Sequence, residues 1–274
     1  MKTFALALGS GGARALAHIA VVEALDEMGV KPAAIAGTSL GALIGAGYAA
    51  GMSGKDIRHH VIRFAHDRRE TMRRLLQVRA GRLTDLLSGD FSQATQMNAE
   101  KFCAQFLPDA VPEEFSALGI PLTVMATDLH RREELAFSSG SLRPALAASI
   151  AFPGLFRPVR LQGRILVDGG ATNPLPFDRL FVRADVIVAV DVFGAPAADR
   201  SDIPGAWESI FSTILVMGAT IAAAKHKHSA PDLVIRPNVA IFRTLDFYQA
   251  SAIIRSAEMI KAEIHEKLGP LIQA

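Results

Sequence analysis

The sequence predicts an α/β fold, three layers deep (α/β/α), with a mostly parallel central sheet between layers of helices. Three observations predict it. Short apolar runs alternate with longer segments of helical periodicity, the rhythm of strand–helix–strand units. Two glycine-bearing loops each follow such a run and open a helix. Half of the 274 residues are hydrophobic, enough for one large core, so residues 1–274 are read as a single domain.

The first strand is Phe4–Leu8, closed by Gly9. A helix over 14–28 follows, with Leu16, Ile19, Ala20 and Leu25 at helical spacing and Gly29 as its stop. The second strand, 34–37, hands over to a helix of small apolar residues at 40–50, which Gly51 ends. Residues 68–91 break the rhythm and are rich in arginine, so an excursion over the sheet is expected. Strands resume at 122–127, 165–167 and Val186–Val190, and 195–204 reads as a surface loop. The uncharged run 209–224 is shorter than the roughly 20 apolar residues that span a bilayer, and it reads as a buried helix. A last helix is expected over 246–268. No internal repeat or low-complexity tract occurs.

A formal net charge of +2 is not the footprint of a nucleic-acid binder. The lone Cys103 excludes an intramolecular disulfide and a zinc site of clustered thiolates, and fits a reducing compartment. Lys2 followed by the short run Phe4–Leu8 is too little for a signal-peptide core, so the mature chain is expected to start here, in the cytoplasm.

Gly37-Thr38-Ser39-Leu40-Gly41 has the G-x-S-x-G spacing and lies where the second strand becomes a helix. A serine on so sharp a turn strains the backbone, and side chains two positions to either side would collide with the neighbouring strand and helix. Gly37 and Gly41 remove that collision. The helix opening at Leu40 aims its positive end and free N–H groups at a developing oxyanion, which makes Ser39 the candidate nucleophile.

Gly9-Ser10-Gly11-Gly12-Ala13-Arg14 stands between the first strand and the first helix. As a dinucleotide-binding loop it has Arg14 where a third glycine belongs, and Glu23, Asp26 and Glu27 fall inside the helix rather than at a strand end. As an oxyanion hole, Gly9, Ser10, Gly11 and Gly12 bring backbone N–H groups close to a tetrahedral intermediate, with Arg14 anchoring the loop or adding charge. The third element, Val167-Asp168-Gly169-Gly170, ends a strand. Ligands of α/β sheets sit beyond the carboxyl ends of strands, so Asp168 and Ser39 can meet there, although an Asp-Gly pair also marks a plain turn.

In this order, GSGGAR, GTSLG and DGG resemble the patatin-like phospholipase family, bacterial members included. ASIAFPG at 148–154 and NPLP at 173–176 look similar too, so the resemblance covers pieces of residues 3–192. Ser10 and Ala15 depart from it, glycine being usual at both, but neither removes a backbone N–H. The resemblance implies the three-layer α/β/α fold, acyl hydrolysis of phospholipid or lysophospholipid, and a Ser–Asp dyad without histidine, metal or cofactor. Ser39 would attack the ester carbonyl, Asp168 would carry its proton to the leaving alcohol, and water would release the acyl group. A carboxyl of ordinary pKa, about 3.9, is a weak base for a hydroxyl, so position, desolvation and the oxyanion hole must compensate. An acyltransferase using the same acyl-serine and an idle lipid- or partner-binding protein are the alternatives.

Other candidates have blander readings. A conventional triad would place a histidine after the acid, but His226 and His228 read as a solvated helix end and His265 as part of a charged helix. His59, His60 and His66 lack carboxylate or thiolate partners at metal-like spacing and read as surface positions. Asp128 and Asp191 follow apolar runs without the glycine pair, which suits loop-holding or capping. Phe152, Leu155 and Phe156 suit an acyl pocket or plain core packing. Between positions 68 and 82, Arg68, Arg69, Arg73, Arg74, Arg79 and Arg82 face one acid, Glu70. Met72, Leu75, Leu76, Leu83, Leu86 and Leu87 give two short helices around Gly81 an apolar face each. A mobile cover over the active site, in peripheral contact with the inner face of the membrane, is expected from residues 68–87, against the reading of a solvated helix pair.

Overall fold

The computed structural model describes residues 2–66, 68–78, 96–194, 203 and 205–273. Among them eight strands form one mixed sheet: β1 (Phe4–Leu8), β2 (Ala34–Thr38), β3 (Leu122–Asp128), β4 (Glu133–Phe137), β5 (Val159–Leu161), β6 (Arg164–Asp168), β7 (Val186–Val190) and β8 (Leu233–Ile235). Strands β3, β2, β1, β7 and β8 lie side by side in parallel, which is the expected core of the fold. β4, β5 and β6 add antiparallel pairing at the β3 end. β4, β5 and β8 were not foreseen. Two of them have only three residues, and β4 has no fully buried residue to give it an apolar run.

The helices are α1 (His18–Glu27), α2 (Leu40–Ala49), α3 (Gly54–His66), α4 (Arg68–Gln77), α5 (Ala99–Phe106), α6 (Leu142–Ser149), α7 (Ala206–His228), α8 (Ala250–Ser256) and α9 (Ile260–Gln273). Alternation along the strands separates the two faces of the sheet. Phe4, Leu6, Leu8, Ile35, Val188 and Val190 enter the large core shared with α1, α2, α8 and α9. Ala5, Ala7, Ala34, Ala36 and Ala189 face the other side, where small side chains let Leu175, Phe177 and Leu180 and the helix α7 lie close to the sheet.

Three helical expectations change. Residues 12–17 form a 3-10 helix before α1, because Gly12 turns the chain at φ 56° and the Ala13 N–H is drawn to Thr244 O at 2.8 Å. The expected helix over 246–268 is broken into α8 and α9, which pack on different partners: α8 on the 3-10 helix and α3, α9 on α1. The run 209–224 is not buried. It lies in the 23-residue α7, long and apolar enough to cross a membrane by length and composition, yet with only 17% of its apolar window inside the protein. Phe211, Gly218 and Ala222 face inward, while Val216 and Met217 are exposed. Gly29 and Gly51 do stop α1 and α2, both at positive φ. Most of the expected loop 195–204, all but residue 203, lies outside the described residues.

Candidate active site

The register of β3 explains how two residues 129 positions apart meet. β2 pairs with Leu122–Met125 of β3 and β6 with Ala126–Asp128, both on the edge opposite β4. β2 is parallel to β3 and β6 antiparallel, so their carboxyl ends face each other along one edge. Thr38 stands opposite Met125 and Asp168 opposite the next residue, Ala126. Asp168 thus reaches Ser39 from an opposing strand end, and not, as expected, from a parallel strand's carboxyl edge.

Ser39 sits between β2 and α2 at φ 57°, ψ −129°, a conformation that costs on the order of 1–3 kcal/mol outside glycine. The turn is closed tightly enough to need glycines on both sides. A β-carbon on Gly37 would stand 2.6 Å from Ala42 Cα, and one on Gly41 would stand 2.4 Å from Leu8 O. The Ser39 N–H donates to Ser149 Oγ (2.9 Å) and Thr38 Oγ1 donates to Asn173 O (2.8 Å). Both acceptors lie in the ASIAFPG and NPLP stretches, whose place in the sequence pattern is thereby explained. Ser39 Oγ donates to Asp168 Oδ2 at 2.6 Å.

Asp168 is 4% exposed. Its Oδ1 accepts from Gly170 N–H (2.7 Å), and Thr127 Oγ1 donates to its backbone oxygen (3.0 Å). Burial pushes its carboxyl up to about 6, with the Ser39 and Gly170 hydrogen bonds pulling the other way. Gly169 is needed here as well, since a β-carbon would stand 2.4 Å from Met125 O.

In the glycine-rich loop, the N–H groups of Gly9 and Ser10 are engaged, with Val190 O (3.2 Å) and Pro174 O (2.8 Å). The backbone N–H groups of Gly9 and Ser10 therefore hold the loop in place. Arg14 takes the anchoring role of the two open to it: its guanidinium donates to Phe193 O (2.6 Å), Phe242 O (2.7 Å) and Ala240 O (3.1 Å). Among the described residues, Gly11 and Gly12 N–H have no acceptor. Gly170 has no room for a side chain either, since a β-carbon would stand 3.0 Å from both Ser10 Oγ and Asp168 Oδ1.

The rival groups are occupied elsewhere. Glu23, one of the three acids weighed for the dinucleotide reading, is buried and held by Arg58 and Lys261. Asp128 accepts from His130 and Arg131 N–H and pairs with Arg164; those hydrogen bonds hold its carboxyl below the ordinary range despite burial. Asp191 accepts from Phe193 N–H and Arg236. His226, His228 and His265 are exposed on α7 and α9. His59 is exposed, whereas His60 is half-buried, bonded to Phe106 O at 2.7 Å, and the side chain of His66 is outside the described residues. Among the described residues no three His, Cys, Asp or Glu side chains cluster as metal ligands. Phe156 belongs to the core, and Phe152 is half-buried with its ring 5.1 Å from Phe211.

Three residues that position the site escaped the sequence reading: Ser149, Thr127 and His18. Ser149 had a signal, its place in ASIAFPG. Thr127 ends a strand like many threonines. His18, fully buried with Nε2 2.8 Å from Gly9 O, looks in sequence like any residue of an apolar helix.

The arginine-rich segment is described as far as Val78. α4 exposes Met72 and Leu76, one turn apart, with Arg69 and Arg73 also exposed. Arg73 and Arg74 share Glu70. Arg79, Arg82, Leu83, Leu86 and Leu87 lie outside the described residues.

A family model described as patatin-like phospholipase matches residues 6–181. An NTE family protein of Mycobacterium tuberculosis is 39% identical over 200 residues, 72% of this chain and 51% of that protein. Lysophospholipase NTE1 of Coccidioides immitis is 28% identical over 97% of this chain and 18% of its own length. The chain therefore spans about half the length of the mycobacterial relative and a fifth of the fungal one. The fold is also that of a human cytosolic phospholipase A2, at a TM-score of 0.54 with 14% identity, over 99% of this chain and 58% of that one. The family match takes in the end of β1, the Ser39 turn, β3 and the Asp168 strand, and the chain belongs to the patatin-like phospholipase family.

Proposed function

We propose that this chain is a serine acyl-ester hydrolase acting on phospholipid or lysophospholipid through a Ser39–Asp168 dyad. The observation that carries the reading is the 2.6 Å hydrogen bond from Ser39 Oγ to a buried carboxylate, made by a serine held at positive φ at the start of α2. Family membership and a lysophospholipase among the relatives support a lipid ester as substrate.

Ser39 Oγ attacks the ester carbonyl while Asp168 Oδ2 takes its proton. The oxyanion that forms meets Gly11 and Gly12 N–H and the positive end of α2. Asp168 then gives the proton to the alkoxide leaving group, leaving acyl-Ser39. Water attacks that ester, Asp168 accepts its proton, and the fatty acid departs as Ser39 is restored. A carboxyl raised to about 6 by burial is a stronger base than an ordinary aspartate, so the desolvation that opposes ionisation also assists proton transfer. We further propose that α4, with Met72 and Leu76 beside Arg69 and Arg73, meets the lipid surface that holds the substrate.

The test is to incubate purified protein with a lipophilic fluorophosphonate and, separately, with a panel of lysophospholipids and phospholipids. Phosphonylation at Ser39, absent in Ser39→Ala, together with fatty-acid release from the panel is expected. Labelling without hydrolysis of any lipid would move the substrate elsewhere, and no labelling would refute the nucleophile.

A further inference from the structure

We propose that His18 is a positioning residue for this reaction: through the Gly9 carbonyl its imidazole fixes the peptide that precedes the Gly11 and Gly12 N–H donors. The proposal rests on the reading of those two N–H groups as the oxyanion hole.

His18 is the first residue of α1, and its ring is fully buried beneath the loop. Nε2 stands 2.8 Å from Gly9 O. A carbonyl oxygen only accepts, so Nε2 carries the proton and Nδ1 is a bare acceptor. Nδ1 is also buried and has no partner among the described residues. An unpaired buried acceptor costs on the order of 1–3 kcal/mol, which a phenylalanine or leucine of similar bulk would avoid. Packing alone therefore does not account for a histidine here, whereas the bond to Gly9 does. Burial keeps the ring neutral, drawing its pKa down to about 4 against the opposing effect of the Gly9 bond. Near neutral pH the donor is thus always present in one tautomer.

The Gly9–Ser10 peptide is gripped at both ends, its oxygen by His18 and its N–H by Pro174 O. Downstream, Ala13 N–H is tied to Thr244 O and Arg14 to three carbonyls. Gly11 and Gly12 span the gap between these fixed points. Loss of the His18 bond leaves a buried carbonyl unpaired, and a rotation of that peptide to relieve it carries the following N–H groups away from the oxyanion. Such donors act because they are fixed before the charge develops, so freedom in the loop weakens the transition state more than the ground state.

The test compares the parent with His18→Phe, which keeps a ring and removes the donor, and His18→Gln, whose Nε2 can restore it. The expected result for His18→Phe is a fall in the rate of fluorophosphonate labelling and in kcat on a soluble ester of roughly 10- to 100-fold, below the effect of losing an oxyanion donor outright. KM stays within about twofold, and His18→Gln recovers most of the rate. A folded His18→Phe that labels at the parent's rate, or a His18→Gln as slow as His18→Phe, overturns the role. Nitrogen-15 NMR of the parent tests the geometry whether or not His18→Phe folds: protonated Nε2 with bare Nδ1 is expected, and the other tautomer overturns the proposal. A parent that is not labelled at all refutes the proposed function and the oxyanion reading with it. A labelled parent with an equally labelled His18→Phe refutes only the role of His18.

Discussion

In the proposed mechanism Asp168 does two things that ordinarily conflict, standing buried at 2.6 Å from Ser39 Oγ and serving as a base. With its carboxyl raised to about 6, kcat/KM on a soluble ester is expected to rise with pH through about 6, because only the ionised form accepts the Ser39 proton. A profile flat down to pH 4.5 would show that another group limits the reaction. The stability sign is opposite. A carboxyl whose folded pKa lies above its unfolded value stabilises the fold below that unfolded value and loses the contribution as pH rises through about 6. Asp168→Asn should therefore be inactive yet at least as stable as the parent at pH 8, with the difference shrinking towards pH 4. The combined alanine variant of His226, His228 and His265 should keep most activity, since all three are exposed and none bonds to the dyad. A dead triple variant beside an active Asp168→Asn would reverse the assignment of the base.

At the scale of elements, the glycine-rich loop and α4 carry separate expectations. Gly12 lies at φ 56°, and a β-carbon there would stand 2.3 Å from Thr244 O, so valine displaces the loop. Gly12→Val should slow acylation by roughly the 100- to 1000-fold of a lost oxyanion donor. Gly11 is confined more softly, by Val192 Cγ2 at 2.6 Å, so Gly11→Ala should be milder and be partly rescued by Val192→Ala. Normal turnover in Gly12→Val would remove its N–H from the mechanism. For the arginine-rich stretch that begins with α4, glutamine at Arg69, Arg73, Arg74 and Arg79 should weaken binding to anionic vesicles at low salt and slow hydrolysis there, leaving a soluble short-chain ester unaffected. Arg73 and Arg74 already share Glu70, so Arg69→Gln alone should account for more of the effect than either of them. Equal vesicle binding would make α4 a solvated face.

The molecule as a whole is tied by an ion cluster away from the site. Arg58 of α3 grips buried Glu23 of α1 with two 2.6 Å hydrogen bonds, and Lys261 of α9 reaches the same carboxylate at 2.9 Å. Arg58→Met leaves Glu23 with Lys261 as its remaining partner and should destabilise the fold by about 2 kcal/mol, read as a drop in Tm of roughly 4 to 8 °C with kcat unchanged. A Tm within 1 °C of the parent would show that Lys261 suffices. Much of the architecture was legible from the sequence because it rests on local patterns. β1, β2, β3, β6 and β7 are apolar runs, α1 and α2 end at glycines, and the glycines around Ser39 are required by a turn only a few residues long. What was not legible depends on distant partners. β4, β5 and β8 are too short or too exposed to signal themselves, and the exposure of α7 follows from how little of it the alanine-lined sheet face and its neighbours cover. His18 is apolar-helix sequence until the loop after β1 places the Gly9 carbonyl against it. By itself the sequence determined the parallel core and the strained serine, since backbone sterics and periodicity act over neighbouring residues, while Asp168 was singled out by the resemblance to the patatin-like pattern. Only the tertiary structure decided that β6 runs against β3, setting Asp168 end-on to Ser39, and which loop N–H groups remain free, because strand register and buried hydrogen bonds are fixed by residues far apart in sequence, such as Ala126 with Asp168 and Ser39 with Asp168.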